Sequence, residues 1–166
     1  MTSVERAWAL LEQVVDPEIP VVSIRELGIL REITEHDGAL EVVITPTYSG
    51  CPAMGQIEDD VRGALAGAAF VVNVVTRLAP AWTTDWMTDA AKGKLREYGI
   101  APPHTTQSSE QVVRFQRPRI ASAIAIACPR CGTTNTTETS HFGSTACKAL
   151  YKCLDCLEPF DYFKPY

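Results

Sequence analysis

The chain has 166 residues, 46% apolar and 21% charged, a length that allows one ordinary domain plus a small metal-stapled module. Its net charge is −5, with 8 Lys and Arg against 15 Asp and Glu over residues 1–100, so it lacks the basic face of a nucleic-acid binder. No apolar run approaches the roughly 20 residues that span a bilayer, and Met1-Thr2-Ser3-Val4-Glu5 does not open a secretory leader, so a cytoplasmic protein is expected.

Thr2 and Glu5 have capping-box spacing, and Val4, Ala7, Trp8, Leu11 and Val15 share one helical face, which predicts a first helix. Pro17 and Pro20 prevent its continuation. Residues 29–35 and 39–45 read as strands around Asp37-Gly38, a strong hairpin signal. A second helix is expected over residues 52–66, with Ile57, Val61, Ala64 and Leu65 inward, and a third strand over residues 70–78. Ala79-Pro80 ends that strand, and a short helix follows Asp85, with Thr83-Thr84-Asp85 as its expected cap. Trp82 and Trp86, four apart, make one aromatic face, read as core packing or, where exposed, as a partner-binding patch.

From residue 100 the character changes. Pro102-Pro103, a polar run over residues 105–111, and Arg114-Phe115-Gln116-Arg117-Pro118-Arg119 read as connecting chain, and residues 121–127 read as a strand leading into a cysteine pair. The expected organisation is a domain over residues 1–103, a linker over 104–120 and a metal module over 121–166.

In a reducing compartment six cysteines are expected as ligands or reactive thiols. Cys128-Pro129-Arg130-Cys131-Gly132 and Cys153-Leu154-Asp155-Cys156 are two Cys-x-x-Cys loops, each able to aim two thiolates at one ion. Cys128, Cys131, Cys153 and Cys156 are therefore the expected metal site, with zinc the expected ion and structural in role; four sulfurs would also hold iron or an iron–sulfur cluster. Gly132 suits the positive φ of such a turn, whereas Leu157 stands in the matching place of the second loop. Cys147, five residues before Cys153, reads either as a competing ligand or as a packed thiol.

Cys51 is of a different kind. It lies in Thr47-Tyr48-Ser49-Gly50-Cys51-Pro52, between a strand and a helix, and Pro52 at the first helical position would make Cys51 the N-cap. The helix dipole there would favour a thiolate. The bland reading is a small residue filling a corner. Asp16 and Glu18 flank Pro17 and could bring two carboxylates to one point, or simply cap Arg25 or the next turn. His36, His104 and His141 have no ligand-like spacing and are expected at the surface.

Asp16-Pro17-Glu18-Ile19-Pro20, Glu26-Leu27-Gly28 and Thr47-Tyr48-Ser49-Gly50-Cys51-Pro52 resemble the SufT-like family of iron–sulfur assembly domains over about residues 4–90. That family often has Asp-Leu-Gly where this chain has Glu26-Leu27-Gly28. The resemblance implies an α+β fold: a small α/β SufT-like domain with a three-stranded or larger mixed sheet, followed by a C-terminal β zinc ribbon. It also implies that Cys51, with Asp16, Glu18 and Thr47 beside it, is the functional site, holding iron or an iron–sulfur cluster transiently.

Pro80-Ala81-Trp82-Thr83-Thr84-Asp85-Trp86-Met87, Phe142-Gly143-Ser144-Thr145-Ala146-Cys147-Lys148 and Glu158-Pro159-Phe160-Asp161-Tyr162-Phe163-Lys164 are similar to the family of D subunits (PaaD) of phenylacetyl-CoA epoxidase systems. This implies an accessory, non-catalytic component in aerobic phenylacetate breakdown, with the oxygenase and reductase subunits as partners. The chain lacks the paired Glu and Glu-x-x-His helices of a di-iron site and any glycine-rich dinucleotide fingerprint. Two roles stay open: metal or cluster maturation of another subunit, or structural docking within the oxygenase. No membrane or nucleic-acid partner is expected, and a homodimer is allowed.

Overall fold

Glu5 donates its N–H to Thr2 Oγ1 at 3.2 Å, and Thr2 donates its N–H to Glu5 Oε2 at 2.7 Å, closing the expected capping box. Such a cap stabilises a helix by about 1 kcal/mol. Helix α1, Ser3–Leu11, buries Ala7 and Leu11. Val15, expected on that face, lies past the helix end, exposed and bridged to Ser23. Val14 is buried in its place, because the chain has left the helical period by then. The computed structural model describes residues 1–68, 70–104 and 125–166.

Strands β1 (Leu30–His36) and β2 (Ala39–Ile44) pair antiparallel through a two-residue turn at Asp37 and Gly38, both at positive φ. Strand β3 (Val71–Thr76) runs parallel to β2. A parallel pair needs a crossover, and helix α2 (Met54–Ala66) supplies it. The result is a three-stranded mixed sheet in the order β1-β2-β3. Ile57, Val61 and Leu65 of α2 are fully buried, while Ala64 is only half-buried. With Leu11, Leu40, Val42 and Ile44 they make the core of the first unit, residues 1–98 with Tyr166.

The segment after β3 is fastened onto residues 26–31. Trp82 is buried and donates its indole N–H to Leu27 O at 2.9 Å. The Arg31 guanidinium lies 3.5 Å from the centre of the Trp86 ring, so this aromatic pair is packed rather than offered to a partner. Thr88 donates its N–H to Glu26 O at 2.9 Å, and Lys94 Nζ reaches the Glu26 carboxylate at 2.7 and 2.9 Å. Burial pushes the Glu26 carboxyl up, but Lys94 and Ser23 outweigh it and hold it below its usual range. The helix expected after Asp85 begins with a single 3-10 turn, Thr84–Trp86, then α3, Asp89–Tyr98. Its cap is Thr88, whose Oγ1 accepts the Ala91 N–H at 3.1 Å. Thr83 makes no side-chain cap bond, so the expected Thr83-Thr84-Asp85 cap is corrected to Thr88.

The second unit comprises Gly99–Pro165. Its four-stranded sheet has the order β4-β7-β6-β5, from β4 (Ile100–Ala101), β5 (Thr136–Ser140), β6 (Lys148–Cys153) and β7 (Pro159–Phe163). Ile100 and Ala101 pair with Asp161 and Tyr162, which puts them in this unit, earlier than the boundary after residue 103 read from sequence. Of the linker over residues 104–120 only His104 is described, and the strand-like run over 121–127 falls mostly outside the described residues. Its described part, residues 125–127, is not a strand, though Ile126 is buried and its carbonyl accepts the Thr136 hydroxyl at 2.7 Å. Among the described residues no helix is long and apolar enough to cross a membrane.

Gly28 makes the first unit's tightest approach to its clamp. Its φ is +76°, and a Cβ there would lie 2.6 Å from both Cβ and the carbonyl oxygen of Trp86. Gly28→Ala is expected to lower unfolding stability by about 2–4 kcal/mol, combining left-handed strain with overpacking against backbone. Urea titration of the purified variant checks it; a loss within error of zero would show that the 82–94 segment is not held at residue 28.

Candidate metal centre and thiol site

All six cysteines are thiols rather than disulfides. In the second unit the sulfurs of Cys128, Cys131, Cys153 and Cys156 lie within 4.8 Å of one another, with Cys128 to Cys156 at 3.8 Å and Cys131 to Cys153 at 3.6 Å. A tetrahedral ion with metal–sulfur bonds of about 2.3 Å holds its sulfurs about 3.8 Å apart, so this donor set fits one four-coordinate metal ion.

The loops that aim these sulfurs are built by backbone bonds. Gly132 donates to Cys128 O at 2.9 Å and takes φ +80°, as its position predicts. Cys128 donates to Thr133 O at 2.8 Å, and Cys153 donates to Glu158 O at 3.0 Å. Cys156 donates its N–H to the Cys153 sulfur at 3.3 Å. Cys128 and Cys153 are buried, whereas Cys131 and Cys156 are exposed.

Burial pushes the Cys153 thiol up, but the Cys156 and Asp155 N–H groups and the thiols of Cys156 and Cys131 bring it down to about 7. The Glu158 backbone pulls Cys156 down, yet the nearby Cys153, burial, and Cys131 and Cys128 push it up to about 12. The Thr133 backbone pulls Cys131 down as well, but burial, Cys153 and Cys128 raise it overall. Thiolates rather than thiols are the ligands, so a cation bound here displaces the thiol protons.

Cys147 lies outside the quartet, buried, with its sulfur 3.0 Å from Thr145 Oγ1. The packed-thiol reading describes its position. His104, expected at the surface, is half-buried: its ring stacks on Tyr162 at 6.1 Å, and its Nδ1 lies 2.5 Å from the Tyr162 hydroxyl. Burial first, then the charge of Tyr151, pushes the Tyr162 hydroxyl up to about 12. His36 and His141 are exposed as expected.

In the first unit, Pro46 follows β2, and the chain then turns. Cys51 donates its N–H to Tyr48 O at 3.2 Å, and its own carbonyl accepts the Met54 N–H at 3.3 Å. The N-cap of α2 is Ala53, not Cys51, because residues 51–53 form a turn before the helix begins at Met54. The thiol thus sits one turn ahead of the helix start, half-exposed, and Thr47 is half-buried.

Asp16 is buried, and its Oδ1 accepts the N–H groups of Glu18 at 2.8 Å and Ile19 at 2.9 Å. This carboxylate holds the Pro17 turn, the role a short acid takes when flanked by unpaired backbone donors. Glu18 is half-exposed. Arg25 forms its ion pair with Glu12. Among the described residues the ribbon quartet is the one group of three or more side chains placed to share an ion.

Comparison with known proteins places both units. Residues 5–75 match the family model of iron-sulfur cluster assembly proteins, and residues 115–164 match the PaaD zinc beta ribbon domain. The chain is 48% identical over 162 residues to the D subunit of "Putative 1,2-phenylacetyl-CoA epoxidase" from Escherichia coli K12, covering 97% of this chain and 92% of that protein. The chain belongs to the PaaD family. The first unit of this PaaD-family chain is 37% identical to the Fe-S protein maturation auxiliary factor YitW of Bacillus subtilis, over 53% of this chain and 88% of that one. It also superposes on a crystal structure of a domain of unknown function, DUF59, from Bacillus anthracis, with a TM-score of 0.52 and 31% identity over 55% of this chain and 90% of that one. The fold is α+β as the sequence predicts, with the four close cysteines in the ribbon.

Seven buried residues form the ribbon core among the described residues, and two of them, Cys128 and Cys153, belong to the cysteine quartet. Removing the ion is therefore expected to melt this unit, and Cys131→Ala should do the same while the first unit keeps its own transition. Because the ligands must be deprotonated, bound metal stabilises the ribbon at neutral and alkaline pH and is lost as protons compete on acidification. Without chelator, the temperature of the ribbon transition is expected to fall as the pH is lowered from about 8 to about 5, while the other moves little. Calorimetry with and without chelator checks both; one transition moving as a whole would overturn the assignment.

Proposed function

We propose that this PaaD-family chain is a non-catalytic accessory component of a phenylacetyl-CoA epoxidase system in the cytoplasm, acting in aerobic phenylacetate catabolism. In this reading it assists iron or iron–sulfur cluster maturation of the oxygenase or its reductase. The observation that carries the reading is the 48% identity across nearly the whole chain to the D subunit of an epoxidase, combined with a first unit related to a Fe-S maturation auxiliary factor.

The residue that would handle the cargo is Cys51, and Asp16, Glu18 and Thr47, grouped with it by the family resemblance, are the further candidates. A half-exposed thiol can lose its proton to solvent, form one sulfur–iron bond, and yield that bond to ligands of a client. A single thiolate binds more weakly than a closed quartet, which suits release. The ribbon quartet, by contrast, fits zinc held permanently: four thiolates leave no open coordination position.

Cys51→Ser is expected to leave folding nearly unchanged, within about 1 kcal/mol, because Ser and Cys are close in size and the site is half-exposed. It is expected to abolish growth on phenylacetate and to lower the iron content of the epoxidase purified from the same cells. Full growth with fully metallated epoxidase would sink the Cys51 role.

Asp16 allows a sharper separation of structure from charge. Asp16→Ala removes the acceptor for two backbone N–H groups and is expected to cost about 1–3 kcal/mol. Asp16→Asn keeps an acceptor oxygen and should fold almost normally. If Asp16→Asn still supports wild-type iron loading, the Asp16 charge plays no part in the chemistry.

A further inference from the structure

We propose that Leu154 and Leu157, on the second cysteine loop, anchor the chain in an apolar pocket of a partner protein whose rim is basic. The inference rests on the accessory reading above and names the surface through which it would work.

The two cysteine loops have equivalent turns. The residue after the second cysteine is Gly132 in one loop, at φ +80°, and Leu157 in the other, at φ +65°. That left-handed region favours glycine, because a Cβ crowds the following carbonyl. Leu157 therefore holds a conformation that glycine would take without strain. Burial within the chain does not offset it, since Leu157 is 64% exposed and Leu154, three residues before it, is 48% exposed. A strained backbone position kept apolar and open to solvent points to a surface completed by another molecule.

The surroundings select the partner. Asp155 lies between the leucines in sequence, and its carboxylate accepts the Asn135 amide at 2.6 Å. Glu158 follows Leu157, with Arg130 4.0 Å away as its counter-ion. The leucines thus sit in a rim of two carboxylates and one guanidinium, and the surplus is negative. A basic rim on the partner complements it. A second copy of the same face would set Asp155 and Glu158 against their own kind, and an anionic bilayer would repel them.

The test uses the full-length chain and the purified oxygenase and reductase subunits, each titrated separately by calorimetry. Leu157→Gly relieves the backbone and removes the side chain; Leu154→Ser with Leu157→Gly removes both anchors. Both variants are expected to keep wild-type metal content, with the melting temperature of Leu157→Gly unchanged or raised. The double variant is expected to bind one subunit at least about tenfold more weakly, the effect of unburying leucine side chains. Equal affinity of wild type and double variant for that partner overturns the docking surface and leaves the accessory reading standing. Loss of metal or a lower melting temperature in Leu157→Gly also overturns it, since the leucine would then serve the ribbon itself. Wild-type self-association abolished in the double variant would make the face a self-interface, and so overturns the heterologous partner. If the wild type binds none of the subunits, the accessory reading falls and takes this surface with it.

Discussion

Four cysteine sulfurs within 4.8 Å cannot all carry charge without a cation among them. The second unit depends on that constraint. Its strands are short, its described core is seven residues, and two of those residues belong to the cysteine quartet. A metal ion bound there would turn four like-charged sulfurs into a cross-link, joining the loop ahead of β5 to the loop between β6 and β7, residues distant in sequence. The loops gain their shape from backbone hydrogen bonds and the ion fixes them against each other, so ion and sheet complete one another.

The first unit is held by ordinary means: a capped helix, a tight hairpin, and a crossover helix with one fully buried face. Its less ordinary feature is the clamp on residues 26–31. Glu26 receives a backbone N–H and a lysine, Leu27 receives an indole N–H, and Gly28 allows Trp86 to lie where any side chain would collide. A Glu-Leu-Gly run that could be taken for a functional signature is thus explained by packing. The same holds for Asp16, whose oxygen satisfies two backbone donors at a proline turn. The two backbone bonds at Cys51 are of a kind that any residue could make.

The two kinds of sulfur site divide by coordination chemistry. A closed quartet holds its ion through four donors at once and leaves no open coordination position. A half-exposed thiol outside such a quartet has the opposite property, since a single bond is readily exchanged for ligands on another protein. On the proposed reading, the chain would carry one ion for shape in the ribbon and a transient one as cargo at Cys51.

The local order of the chain was legible from residue spacing. Capping box, hairpin turn, crossover helix and cysteine loops all follow from contacts between residues a few positions apart, and such contacts leave their period in the sequence. Two Cys-x-x-Cys loops announce a shared ion because the chelate geometry is itself local. The tertiary structure decided the rest. Trp82 reaches Leu27 across 55 positions and Lys94 reaches Glu26 across 68, and no local pattern encodes such pairs. Helix α2 starts at Met54 rather than Pro52, which moves Cys51 off the cap, because the Ser49–Gly50 turn runs on through residue 53 before the first helical bond closes. His104 stacks on Tyr162 only because β4 joins β7 beside it. The strain at Leu157 is visible only in the folded loop, since a leucine after a cysteine carries no mark in sequence of the φ it must adopt.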